Sequence, residues 1–306
     1  VHPIRARSLA AAALALGLGS CSPESAPYAP AFADEPEGQP VYTFAVHPLH
    51  NPALLYKIYG PLVDHLNAKL PGIRFRLVAS RDYAAFGRRI AASEFDFALP
   101  NPYQAILAER AGYRIFGKVG DDDGFRGLIV VRKDSDIARI GDLRGKTISY
   151  PARTAVAGTM MPQYFIATHG VKIAQTRTVY VGSMESSLES VRTGASDAGA
   201  VWPDPWNKYV RAKPREAAAL VVRWRTPPLV NNALVVRRRL PAPLAAKVLA
   251  ALQDLGRTPE GRQLLETMSI RSFEPASAAT YAPVRKFLAD YAREVGPLPA
   301  TARRAE

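Results

Sequence analysis

Several short stretches of this chain gather side chains that can do chemistry. His47-Pro48-Leu49-His50 places two imidazoles three residues apart. Neutral imidazoles at that spacing can share one metal ion, but a site needs further ligands within reach. His65 and His169 fall on other expected helices. The pair therefore reads as loop or N-cap histidines, and no metal is assigned. Arg81-Asp82-Tyr83 offers a guanidinium fork for an anion, or a surface ion pair. Asn101-Pro102-Tyr103 adds an amide and a phenol. Tyr150, Arg153 and Thr154 lead into Ala155-Val156-Ala157-Gly158-Thr159, which opens an apolar helix-like run. The first amides of a helix lack internal partners and together attract anions. Ser183-Met184-Glu185 brings a hydroxyl, a thioether and a carboxylate side by side. Trp202-Pro203-Asp204-Pro205-Trp206 holds two indoles around one carboxylate. Such a group can stack on a ring or cage a cation, with Asp204 as countercharge; the rings can equally pad a core. No nucleophile elbow, zinc-protease helix or glycine-rich nucleotide loop is present. Gly141 and Gly145-Lys146-Thr147 mimic a P-loop with one residue too few between the glycines. An enzyme is the weaker class, and no cofactor is implied.

The elements that must position these residues alternate along the chain. Strands are expected at 41–46, 75–78, 95–99, 127–131, 147–150, 178–181 and 198–201. Helical spacing runs through 54–70, 83–92, 103–111, 158–168 and 186–193. This alternation argues for an α/β fold with mostly parallel sheets. Leu128-Ile129-Val130-Val131-Arg132-Lys133 is echoed by Leu234-Val235-Val236-Arg237-Arg238. The residues between look like a complete α/β unit, and only helices are expected after the echo, at 243–255, 259–265 and 281–295. Two lobes joined by two crossovers would give this pattern. The first lobe is 41–131 plus 234–296, and the second is 132–233. In such open sheets ligands bind beyond the carboxyl ends of the strands. The loops after residues 46, 99, 150 and 201 carry most of the residues named above.

The ends of the chain differ from its middle. Arg5 and Arg7 precede the apolar run from Leu9 to Leu18, which Gly19-Ser20-Cys21 ends. This is the layout of a secretion signal, with a cysteine where cleavage is expected. It resembles a bacterial lipoprotein signal over residues 1–20, which implies acylation of Cys21 and a lipid anchor in the cell envelope. Val1 in place of Met suggests a non-ATG start. Cys21 is the single cysteine, so the fold must rest on its core, which a chain of this length can supply. Residues 21–40 are rich in Pro, Ala, Ser and Glu and read as a flexible tether. Residues 297–306 read as a frayed tail. The net charge is +13. The basic residues are scattered apart from Arg237-Arg238-Arg239, and no nucleic-acid motif appears. An anionic membrane surface or small anionic ligands suit this field better than nucleic acid.

The two-lobed layout resembles a type II periplasmic binding protein with two hinge crossover strands. The segment Ile140 to Thr147 is similar to the one that opens the second lobe in these proteins. Pro48-x-x-Asn51-Pro52, Tyr59-x-Pro61-Leu62-x-Asp64-x-Leu66, Asp82-Tyr83-x-x-Phe86, Asp96-Phe97-Ala98-Leu99 and Asn101-Pro102-Tyr103 resemble the phosphate/phosphite/phosphonate-binding branch of ABC importers. So do Gly182-Ser183-Met184-Glu185-Ser186 and Asp197 to Val201. The resemblance covers about 41–290. It implies a monomeric, non-catalytic periplasmic receptor that passes a small, anionic ligand to an ABC permease. A solute-sensing or accessory lipoprotein, working with a membrane sensor, is the alternative. The family carries Ser-Thr-Ser-Gly before a helix, whereas this chain has Ala155-Val156-Ala157-Gly158, then Pro162. The hydroxyl donors are gone, and Met184 stands where the family often has His. The ligand-binding residues expected are His47, Arg81, Tyr83, Asn101, Tyr103, Tyr150, Arg153, Thr154, Gly158, Thr159, Ser183, Glu185, Trp202 and Asp204.

Overall fold

The computed structural model describes residues 38–50 and 52–299. Cys21, the signal segment and the end of the tail lie outside the described residues.

The chain begins with alternating strands and helices. These are β1 (Val41–Val46), α1 (Pro52–Lys69), β2 (Arg74–Val78), α2 (Tyr83–Ala91), β3 (Phe97–Leu99), α3 (Pro102–Arg110) and β4 (Tyr113–Val119). Local chemistry fixes two of the helix starts. Asp82 caps α2 by accepting from the Ala85 amide at 2.7 Å. Asn101 and Gln104 form a reciprocal capping box at α3, with Pro102 in the first turn. A first crossover then leads to β5 (Leu128–Arg132), β6 (Thr147–Tyr150), a π turn at Val156–Met160 and α4 (Met161–Thr168). Next come β7 (Arg177–Tyr180), α5 (Met184–Arg192), β8 (Ala198–Val201), α6 (Pro203–Ala212), α7 (Pro214–Ala217) and β9 (Leu220–Arg225). A second crossover returns the chain to β10 (Ala233–Arg237), α8 (Ala242–Asp254), α9 (Pro259–Met268), β11 (Phe273–Pro275) and α10 (Ala282–Glu294).

Two mixed sheets result. The six-stranded sheet has the order β11-β4-β10-β3-β1-β2, and the five-stranded sheet β7-β6-β8-β5-β9. The echoed segments occupy equivalent places. β5 lies antiparallel between β8 and β9, and β10 lies antiparallel between β3 and β4. Each is the first strand after a crossover, so the repeat marks where the chain changes lobe. The sequence division at 131 puts β5 in the first lobe, whereas its pairing puts it in the second sheet. The crossovers are 120–127 and 226–232, a few residues earlier than the sequence positions. β11 also interrupts the run expected to be helical.

The crossovers run side by side and are bonded along their length. The Thr226 amide donates to Gly127 O at 2.9 Å, Leu229 to Phe125 O at 3.0 Å and Asn231 to Asp122 Oδ1 at 2.9 Å. Buried Lys118 anchors their base with Asp122 at 3.0 Å and Glu274 at 2.9 Å.

One face of the first sheet packs against α1, α8 and α9. Its other face packs against α2, α3 and α10, and this core takes in Val156, Ala157, Met160 and Met161 from the second lobe. Tyr83 of the first lobe in turn packs with Ala155, Met184 and Leu188 of the second. The lobes therefore share apolar core on both sides of their junction.

Candidate functional site

The carboxyl ends of β1, β3, β6 and β8 converge on the junction between the lobes. His47 and Leu49 follow β1, Asn101 follows β3, Ala155–Ala157 follow β6 and Trp202 follows β8. Tyr83, Met184 and two crossover residues, Phe125 and Asn232, complete a small cavity. Its volume is about 20 Å³, room for about one water molecule. Among the described residues, no lysine, arginine or carboxylate lines it.

His47 is the one imidazole in this lining. Its Nδ1 lies 2.9 Å from Leu99 O, so Nδ1 carries the proton and Nε2 is left as an acceptor. Burial lowers its pKa to about 4, against the opposing pull of the Leu99 carbonyl. The ring is neutral at neutral pH. Burial likewise pushes the Tyr83 phenol well above its usual range, so it stays a donor. Asn101 is committed on both sides: Oδ1 accepts from the Gln104 amide, and Nδ2 donates to Thr154 O at 2.9 Å across the junction. Trp202 packs against Phe125 with the rings tilted at 59° and their centroids 5.9 Å apart. Trp206 packs against the second-lobe core. Neither indole stands free to form a cage. Asn232 is buried, and its Oδ1 has no partner.

The floor is the π turn. Its first bonds run from the Met160 amide to Ala155 O and from the Met161 amide to Val156 O. The amides of Val156 to Thr159 thus precede the first helical bond and form the end group of the helix. The residues where hydroxyls would sit, Ala155, Val156 and Ala157, are buried and apolar. The Thr159 hydroxyl is spent on Ala152 O at 2.8 Å. Gly127 of the first crossover packs on this turn so closely that a Cβ there would sit 2.8 Å from Ala157 O.

Other expected residues lie elsewhere. Arg81 is exposed and pairs with Asp82. Tyr103 points away from the junction and donates to Pro299 O at 2.5 Å. Tyr150 is buried in the second-lobe core against Tyr180, and Arg153 lies exposed over the Tyr180 ring at 4.5 Å. Ser183 is the cap of α5, and Glu185 is exposed and bound to Lys213 at 2.8 Å. Asp204 sits in the first turn of α6 and pairs with Lys208 at 3.1 Å, outside the cavity. The structure thus gathers His47, Tyr83, Asn101 and Trp202, with Thr154 and Gly158 at the edge. Leu49, Phe125 and Asn232 were missed. The last two sit on crossovers, and that position was the available signal.

A family model described as "ABC transporter, phosphonate, periplasmic substrate-binding protein" matches residues 44–281. The chain belongs to this family of phosphonate-type substrate-binding proteins. The phosphonates-binding periplasmic protein of Escherichia coli (strain K12) is 23% identical over 266 residues, covering 84% of this chain and 78% of that protein. A binding-protein component of an ABC phosphonate transporter from Pseudomonas aeruginosa has the same fold, with TM-score 0.75 and 21% identity over 84% of this chain and 88% of the other. A Prochlorococcus marinus protein in complex with methylphosphonate gives TM-score 0.73 and 19% identity, covering 81% and 96%. As a substrate-binding protein of this family, the chain is a receptor and not an enzyme.

Proposed function

We propose that this substrate-binding protein is anchored by lipid at Cys21 and captures a small anionic solute between its lobes for an ABC permease. The observation that carries this reading is the meeting of four strand ends on the amides that open the π turn and α4. The amides are the anion donors, Tyr83 adds a phenol, and the neutral His47 Nε2 and Asn232 Oδ1 accept from any donor on the solute.

Tight binding of a compact phosphonate or phosphite is not expected. The three apolar residues at 155–157 offer no hydroxyls, and each charge-assisted bond is worth ~1.5–3 kcal/mol. At ~1.4 kcal/mol per tenfold, two or three missing bonds lower affinity by several decades. A solute with an anionic end and an apolar body suits the lining better. Calorimetry against phosphate, phosphite, methylphosphonate, alkylsulfonates and cationic amines tests the reading. Saturable binding by an anion supports it, and binding by none refutes it. The Cys21→Ser chain should move from membrane to soluble periplasm, and unchanged fractionation would refute the anchor.

A second reading is a sensing or accessory role, in which the fold makes protein contacts rather than importing a solute. The cavity of about 20 Å³ favours it, since the junction is filled by the chain's own side chains.

A further inference from the structure

Met184 opens α5 and turns inward, while its neighbours Ser183 and Glu185 face solvent. It is 7% exposed and lines the inter-lobe cavity. Its partner there is Gly158, in the first turn of the helix. A Cβ on Gly158 would lie 2.6 Å from Met184 Cε and 2.7 Å from Sδ. In a helix the Cα–Cβ bond leans toward the N-terminus. The thioether therefore packs against the first turn at Gly158, on the side that leans toward the end carrying the amides of Val156 to Thr159. Beside it, on the same cavity, the buried Asn232 Oδ1 has no partner.

We propose that Met184 determines the specificity of this cleft, acting as an apolar plug over the helix-start amides. The proposal rests on the solute-binding reading and names the class of solute it would select. A compact, strongly hydrated oxyanion at these amides must shed water against a thioether that returns no hydrogen bond, which is unfavourable. An anion carrying an alkyl group gains a contact there instead. Met is unbranched and turns about three bonds, so it can re-pack around such a group. The missing side chain of Gly158 is what lets Met184 reach this place.

The test uses Met184→Ala and Met184→Leu in the full mature chain, with calorimetry against phosphite and n-butylphosphonate. Met184→Ala should bind phosphite at least tenfold tighter than the wild type, with a smaller preference for butylphosphonate. Met184→Leu keeps the apolar volume and should keep the wild-type preference. Phosphite binding by a cooperatively melting Met184→Ala that is no tighter than wild type, undetectable binding in both included, overturns the plug. An equal gain in Met184→Leu also overturns it, because a general loosening would then be the cause. Failure of the solute-binding reading appears separately, as a wild type that binds no solute in the wider screen.

Discussion

His47 should make this protein sensitive to mild acid. Its folded pKa is about 4, lowered first by burial and then by the neighbouring His50 charge. The unfolded value is ~6.5. Between these values the unfolded chain binds more protons, so stability rises with pH across the window and falls on acidification. At pH 5 the loss relative to pH 7 is about 2 kcal/mol, and its limit below the folded pKa is about 3 kcal/mol. His50 has a similarly lowered pKa of about 4, from burial first, then Lys208, with Asp204 opposing. The two losses overlap in pH. His47→Asn separates them, because its side-chain amide can still donate to Leu99 O while carrying no titrating group. Urea unfolding at pH 7, 6 and 5 gives the slope directly and stays above the range where most carboxylates titrate. The variant should lose about 2 kcal/mol less than wild type between pH 7 and pH 5. If both lose the same amount, to within about 0.5 kcal/mol, His47 is not buried neutral and the account of the cleft wall is wrong.

Three further outcomes are expected. Lys118→Met strands two carboxylates at the base of the crossovers. Lys118 holds Glu274 below its usual range, so the triad's contribution is present above the unfolded carboxylate pKa and is lost as pH falls through the folded one. The variant should be less stable at neutral pH and flatter on the acid side, read by the same unfolding series. Asn101→Ala removes both the α3 cap and the inter-lobe bond to Thr154. It should cost about 1–2 kcal/mol, read as a lower urea midpoint. Gly158→Ala forces a Cβ against Met184 and should cost about 1–3 kcal/mol. The cost should shrink in the Met184→Ala background, and strict additivity in that double-mutant cycle would deny the contact.

The fold was legible where periodicity was strong. β1, β6, β8 and β10 fall within a residue of their apolar runs, and the α3 start follows from Asn101-Pro102. β4 was overlooked although Tyr113, Ile115, Gly117 and Val119 alternate with polar or bulky neighbours. Its charges, Arg114 and Lys118, disguise a strand that lies inside the sheet and pairs on both sides. Trp202-Pro203-Asp204-Pro205-Trp206 reads as a stiff loop, yet it opens α6. Both prolines fall in the first turn, where the amides they lack have no helical partner anyway. The site was legible in its strand ends and not in its side-chain directions. Tyr103 and Tyr150 lie near junction loops in sequence, but their rings turn toward α10 and the second-lobe core. Which way a ring turns depends on neighbours far along the chain, as Pro299, 196 residues on, is for Tyr103.

The shared core bears on how such a receptor would signal. Opening the cleft as a rigid hinge motion must draw Val156, Ala157, Met160 and Met161 out of the buried core they share with the first lobe. It must also break the Asn101–Thr154 bond and the Tyr291–Gln163 bond of 2.6 Å. Each apolar side chain exposed costs about 1.5–3 kcal/mol. Closure is therefore favoured by the chain's own contacts before any solute binds. A solute moves a two-state equilibrium only by its differential affinity for the two states. Where the closed state already dominates, the solute gives up little of its binding energy to closure, but it also changes the shape of the molecule little. A partner that reads shape would then find a nearly constant surface. Retention of solute, rather than a large hinge response, is the property this packing is suited to provide.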